Sequence, residues 1–145
     1  LAKVYPQDRL GFAVFQEDAI FSAFSYQKFF PDITAGNPSD AERKARLNVR
    51  WRQDIDRWIA ALAPSANVGW YLPNSRDVND SHCLTIISFA GTGIRESGLK
   101  DVGVFVDNLL ATQGPVLRAF EQDRTAQPAP LDLHWLITKF VGSLI

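Results

Sequence analysis

His82 and Cys83 stand side by side in the run DSHCLTII, and an imidazole beside a thiol is the pairing that makes a thiolate nucleophile. Neighbours on a strand point to opposite faces, so this pair does not meet if the run is extended. His134 would reach Cys83 only through tertiary structure, and a half-buried strand cysteine is the default reading. Asp80 and His82 would share a strand face and could offer two metal ligands. Two ligands do not hold zinc, and no further Cys or His spacing supplies the rest, so no metal is expected. The loop GTGIRESG lacks the lysine and the spacing of a phosphate-binding P-loop, and no cofactor is expected. Arg43, Lys44, Arg46, Arg50 and Arg52 crowd one segment, and Arg43, Arg46, Arg50 and Arg57 fall near one helical face that could meet an acidic partner. Glu42, Asp54 and Asp56 are interleaved with them, which makes a solvated face the default and nucleic acid an unexpected partner. Arg43, Arg46 and Arg50 remain candidates for a protein contact. Asn79-Asp80-Ser81 is a glycosylation sequon, of consequence only in a secreted chain.

These residues need a scaffold, and the composition says which kind. With 46% hydrophobic and 21% charged residues in 145, the chain has the balance of an ordinary globular domain, and one domain is expected. A net charge of −1 supplies no field for nucleic acid or an anionic membrane. A single cysteine excludes an internal disulfide. The chain starts at Leu1 and has no methionine, which suits a processed product or one piece of a longer precursor. No targeting segment is recognisable, and no apolar run reaches the ~20 residues of a membrane span. The longest, Leu131 to Ile145, is broken by Asp132, His134 and Lys139. A soluble protein is expected.

The helix from Ser39 to Ala63 is the clearest element. Ser39 and Glu42 form a capping box, and Leu47, Trp51, Ile55, Trp58 and Leu62 recur on one stripe before Pro64 ends it. Glu42 with Arg46, Arg50 with Asp54, and Arg52 with Asp56 are spaced for ion pairs on the wet face. Upstream, the apolar block 8–30 reads as helix from about Gln16, with residues 10–15 open between strand and helix. VGWYLP and HCLTIISFAG, separated by a polar spacer, read as a hairpin with a longer loop. Beyond it, a helix from about Leu99 breaks near Gly114-Pro115, and a second short helix follows to about Gln122. Leu131, Leu133, Trp135 and Ile137 alternate as a strand does. The fold expected is therefore mixed α/β: a helical N-terminal half, a central hairpin, then helices and a strand.

The run Ile86-Ile87-Ser88-Phe89-Ala90-Gly91-Thr92, with the strand Gly69–Leu72 before it, resembles the front part of the class 3 (fungal-type) lipases of the α/β-hydrolase fold. The resemblance spans residues 66–93. It implies that Ala90, Gly91 and Thr92 form an oxyanion loop, where amides and a hydroxyl face the negative charge developing on a carbonyl oxygen. Ala90 stands where the family usually carries arginine. The nucleophile elbow G-x-S-x-G is absent from the chain; Ser143, in Val141-Gly142-Ser143-Leu144-Ile145, lacks both flanking glycines. Without that elbow, the leading expectation is a non-catalytic structural or protein-interaction module within a larger assembly, binding a protein partner or itself. Its contact candidates are Arg43, Arg46, Arg50, Trp135 and Ile137, with residues 131–145 at or near an interface. The alternative is the front portion of an α/β-hydrolase whose nucleophile lies downstream.

Overall fold

The computed structural model describes residues 1–18, 25–76, 89 and 91–123. Among the described residues three strands are present: β1 (Leu10–Ala13), β2 (Val68–Leu72) and β3 (Arg118–Phe120), all parallel, in the order β1-β2-β3. Helix α1 (Asp40–Leu62) lies between β1 and β2 in the chain, and helix α2 (Gly103–Leu110) lies between β2 and β3. Single 3-10 turns occupy Pro31–Ile33 and Arg95–Ser97. The mixed α/β class stands.

The central strand shows why the layers form. All five residues of β2 are buried, as expected of a parallel strand covered on both faces. Trp70 and Leu72 point to one face and meet Trp51 and Ile55 of α1, with Phe12, Trp58 and Phe120 packed around them. Tyr71 points to the other face and joins Phe105 of α2, Val102, Ile94 and Ala119. The second layer comes close to the sheet because β2 has glycine there. A methyl group on Gly69 would stand 3.2 Å from the Phe105 ring of α2, and 2.5 Å from the Leu117 carbonyl oxygen next to β3.

α1 forms as its sequence dictates. The Ser39 hydroxyl accepts from the Glu42 amide, and the Glu42 carboxylate accepts from the Ser39 amide, closing the capping box. The hydrogen bonds from Ser39 hold the Glu42 carboxyl below its ordinary 4.5. Leu47, Trp51 and Ile55 are buried along the stripe, while Trp58 and Leu62 are half-buried. Arg50–Asp54 and Arg52–Asp56 lie at 3.9 and 3.7 Å.

Elsewhere the expectations need correction. β2 cannot be half of a hairpin with 82–91, because β1 occupies one of its edges and β3 the other; residues 82–88 and 90 lie outside the described residues. The chain at 10–13 is strand, and 16–18 are not helical; helix appears at 25–29. The open stretch is settled by Leu10 to Ala13 taking the edge of β2. The helix expected from Leu99 begins at Gly103, because Ile94 and Leu99 bridge across the Arg95–Ser97 turn, with Gly98 left-handed at φ +67°. The short helix expected after Pro115 is strand β3, whose pairing along β2 outweighs the local proline signal. The alternating segment from Leu131 lies outside the described residues.

Candidate functional site

Parallel strands all finish at one edge of their sheet, and in open α/β sheets ligands bind beyond those carboxyl ends. Here β1 runs on into Gln16, β2 into Asn74 and Arg76, and β3 into Glu121. Backbone bonds continue past the strands themselves: the Gln16 amide donates to Pro73 O at 2.9 Å and the Glu121 amide to Leu72 O at 3.0 Å. Among the described residues the buried polar side chains are Gln16, Asp18, Asn74, Arg76, Thr92 and Glu121. All of them belong to these strand ends or to the turn packed on them. Burying polar groups is costly unless each finds partners, so this concentration is a built feature.

Arg76 organises it. Its Nη2 donates to both oxygens of the Glu121 carboxylate, at 2.8 and 2.7 Å, with both side chains almost fully buried. The remaining N–H groups donate to the carbonyls of Asn74, Ser75, Gly91 and Gly93 at 2.8–3.2 Å. Gln16 ties the three strand ends together, its side-chain amide donating to Leu72 O at 2.7 Å and Glu121 O at 2.8 Å. The Asn74 side chain donates to Asp123 O at 3.1 Å. Glu96, on the turn after residue 93, accepts from the amides of Gln122 and Asp123.

The turn at 91–93 is held through its carbonyls. Gly91 O and Gly93 O accept from Arg76 at 3.1 and 2.8 Å, and Thr92 O accepts from the Tyr71 hydroxyl at 2.8 Å. Burial pushes the Tyr71 phenol far above its ordinary 10, so it stays protonated as a donor. Three consecutive carbonyl oxygens are thus fixed by two buried side chains. The Thr92 hydroxyl, the side-chain donor implied by the lipase resemblance, gives its proton to Phe89 O at 2.6 Å and accepts from the Val102 amide at 2.9 Å. It helps to start α2 and has no second proton to give. Gly91 takes φ +78°, a conformation that favours glycine.

The contact candidates fare differently. Arg43 pairs with Asp40 at 2.7 Å, while Arg46 donates to the carbonyls of Asp32, Ile33 and Ala35, fastening the Pro31–Ile33 turn to α1. Arg50 stacks over Phe30 at 3.9 Å from the ring centre. Each of these cations has an intramolecular partner. Ala90, Trp135, Ile137, Asp80, His82, Cys83, His134 and Ser143 lie outside the described residues. Among the described residues no three His, Cys, Asp or Glu side chains gather around a common metal position, and no helix is long and apolar enough to cross a membrane.

Gln16, Tyr71, Asn74, Arg76 and Glu121 are not legible as site residues as long as VGWYL reads as a hairpin arm. The signal was present: a wholly apolar five-residue run suits a central parallel strand, and the polar residues directly after it then fall at the carboxyl edge. No known protein family, curated protein or solved structure matches the chain.

Proposed function

We propose that the chain is the front portion of an α/β-hydrolase of the lipase or esterase kind, with the carboxyl edge of the sheet as its working edge and its nucleophile on a segment beyond Ile145. The observation that supports this is the turn at 91–93, whose carbonyls are pinned by Tyr71 and Arg76 beyond the ends of parallel strands. A loop fixed in this way keeps its remaining amides oriented before any substrate arrives, which is what stabilising an oxyanion requires. The native protein should be labelled covalently by a fluorophosphonate, a reagent in which a serine oxygen displaces fluoride from phosphorus. Residues 1–145 alone should neither react nor turn over short-chain p-nitrophenyl esters. A native protein that stays unlabelled sinks the reading. Labelling of the isolated chain that disappears in Ser143→Ala would replace the downstream nucleophile with Ser143.

A second reading, a non-catalytic module within a larger assembly, draws on exposed apolar side chains. Phe29 is 74% exposed and Leu110 77% exposed. If they mark an association surface, the native protein should sediment as an oligomer or with a partner, and Phe29→Ser with Leu110→Ser should reduce it to the monomer. A wild-type protein that remains monomeric at high micromolar concentration, with no partner retained, excludes this reading.

A further inference from the structure

Beside the Pro31–Ile33 turn, the outer side of α1 carries a cavity of about 360 Å³, lined by Asp32, Ala45, Arg46, Val49, Arg50 and Gln53. Ala45, Val49 and Gln53 recur every fourth residue, so the cavity is a groove that follows the helix for about 12 Å. Val49 gives it an apolar element and is 59% exposed. Phe29, one residue before the ring that Arg50 covers, is another exposed apolar side chain. Among the described residues, two guanidinium groups line the groove against one carboxylate, that of Asp32.

Both guanidinium groups are held in place and still have donors to give. Arg46 makes its three bonds to the carbonyls of Asp32, Ile33 and Ala35 through Nη1 alone. Its Nε and Nη2 have no acceptor among the described residues, and Glu42, one turn earlier, turns its carboxylate back to Ser39. Arg50 is fixed over the Phe30 ring at 3.9 Å and makes no hydrogen bond among the described residues. The Asp54 carboxylate lies 3.9 Å from its Nε, beyond hydrogen-bond reach. The Asp54 oxygens instead accept from the Tyr26 hydroxyl at 2.7 Å and from Arg57. A planar guanidinium with N–H groups to spare suits a carboxylate, which can take two of them at once.

We infer that this groove is the docking site for an acidic segment of a partner protein, an extended run with glutamates at alternate positions. Arg46 and Arg50 are about 6 Å apart along the helix axis. Alternate side chains of an extended chain are roughly 7 Å apart, so each carboxylate meets one guanidinium while Val49 covers the glutamate methylenes. The exposed valine and the Asp32 carboxylate favour a peptide over a phosphate backbone, and the net charge of −1 gives nucleic acid no wider attraction. The inference rests on the second reading, of a module within an assembly, and gives that module the chemistry of its partner.

The test titrates the full native chain into fluorescein-labelled Gly-Glu-Leu-Glu-Gly and follows anisotropy, with Gly-Gln-Leu-Gln-Gly as the control. Only the acidic peptide should bind, and its binding should weaken as ionic strength rises from about 0.05 to about 0.5 M. Arg50→Gln should weaken it roughly 10-fold. Asp32→Asn removes the carboxylate that opposes the ligand and should tighten binding by about 3-fold, a gain that loss of folded protein does not produce. An acidic peptide that binds no better than its control, or binding that both substitutions leave unchanged, overturns the inference. An oligothymidylate that displaces the peptide and binds more tightly also overturns it, since the ligand is then a phosphate chain. A native partner released by Phe29→Ser with Leu110→Ser but retained by Arg50→Gln overturns the groove and leaves the second reading standing. A native protein that is monomeric and retains no partner removes both.

Discussion

Arg76→Ala is expected to lower the free energy of unfolding by about 3–5 kcal/mol, because it removes the guanidinium that pairs with the buried Glu121 carboxylate. The same substitution takes a donor from the carbonyls of Asn74, Ser75, Gly91 and Gly93, all of which accept from the guanidinium. The measurement is a urea titration, in which the midpoint should fall at unchanged slope. Pairing Arg76→Met with Glu121→Leu separates the two contributions. The double variant removes both charges and should recover most of the ionic loss, since apolar replacement of a buried pair is often close to neutral. It cannot restore donors to the four carbonyls, so recovery should be partial. A single variant with the wild-type midpoint would mean that Glu121 reaches water, contrary to the burial described.

Trp51→Ala should cost about 3–5 kcal/mol by the same titration. Trp51 lies buried between α1 and the sheet, meets Tyr26 edge-on at 5.4 Å between ring centres, and donates its indole N–H to Phe15 O at 3.1 Å. Trp51→Phe keeps a ring in the same space and should lose only the part due to the unpaired Phe15 carbonyl, about 1–3 kcal/mol. Trp58 sits on the same stripe, packed on Phe12 at 4.0 Å between ring centres, but is only half-buried, and Trp58→Ala should cost less than Trp51→Ala. Equal losses at the two positions would show that the stripe is covered more evenly than its exposures indicate.

The difference between α1 and the sheet shows what a sequence can disclose. Ser39, Glu42 and the apolar stripe of α1 are local signals: cap, periodicity and stop all lie within one continuous segment, and each does what its chemistry predicts. A strand carries no comparable statement about its neighbours. VGWYL reads equally well as one arm of a hairpin or as the centre of a parallel sheet, and only its uninterrupted burial separates the two. β3 is three residues long and exists because β2 offers it an edge, a fact absent from RAF itself. The arginines mislead in the same way. Arg46 looks like a surface cation by spacing, yet it binds three carbonyls of a preceding turn. The carboxyl edge was hidden until the strand directions were known, because Gln16, Arg76 and Glu121 come from three distant parts of the chain.

At the opposite edge of the sheet, Arg118 donates to the carbonyls of Ala63, Ser65 and Val68, gathering the end of α1 and the start of β2. Arg9 donates to Gly114 O, 105 residues away in the chain, and to Asn108 O near the end of α2. Both arginines bring positive charge to the negative ends of helix dipoles. Their contacts also impose an order on assembly. α1 can begin from bonds three and four residues apart, whereas β1, β2, β3 and the two arginine clasps each require ends separated by dozens of residues to meet first. Loop closure over such distances must be met before any of those contacts repays it. The sheet and its clasps therefore form together and late, and folding is slow relative to a helical protein of this size.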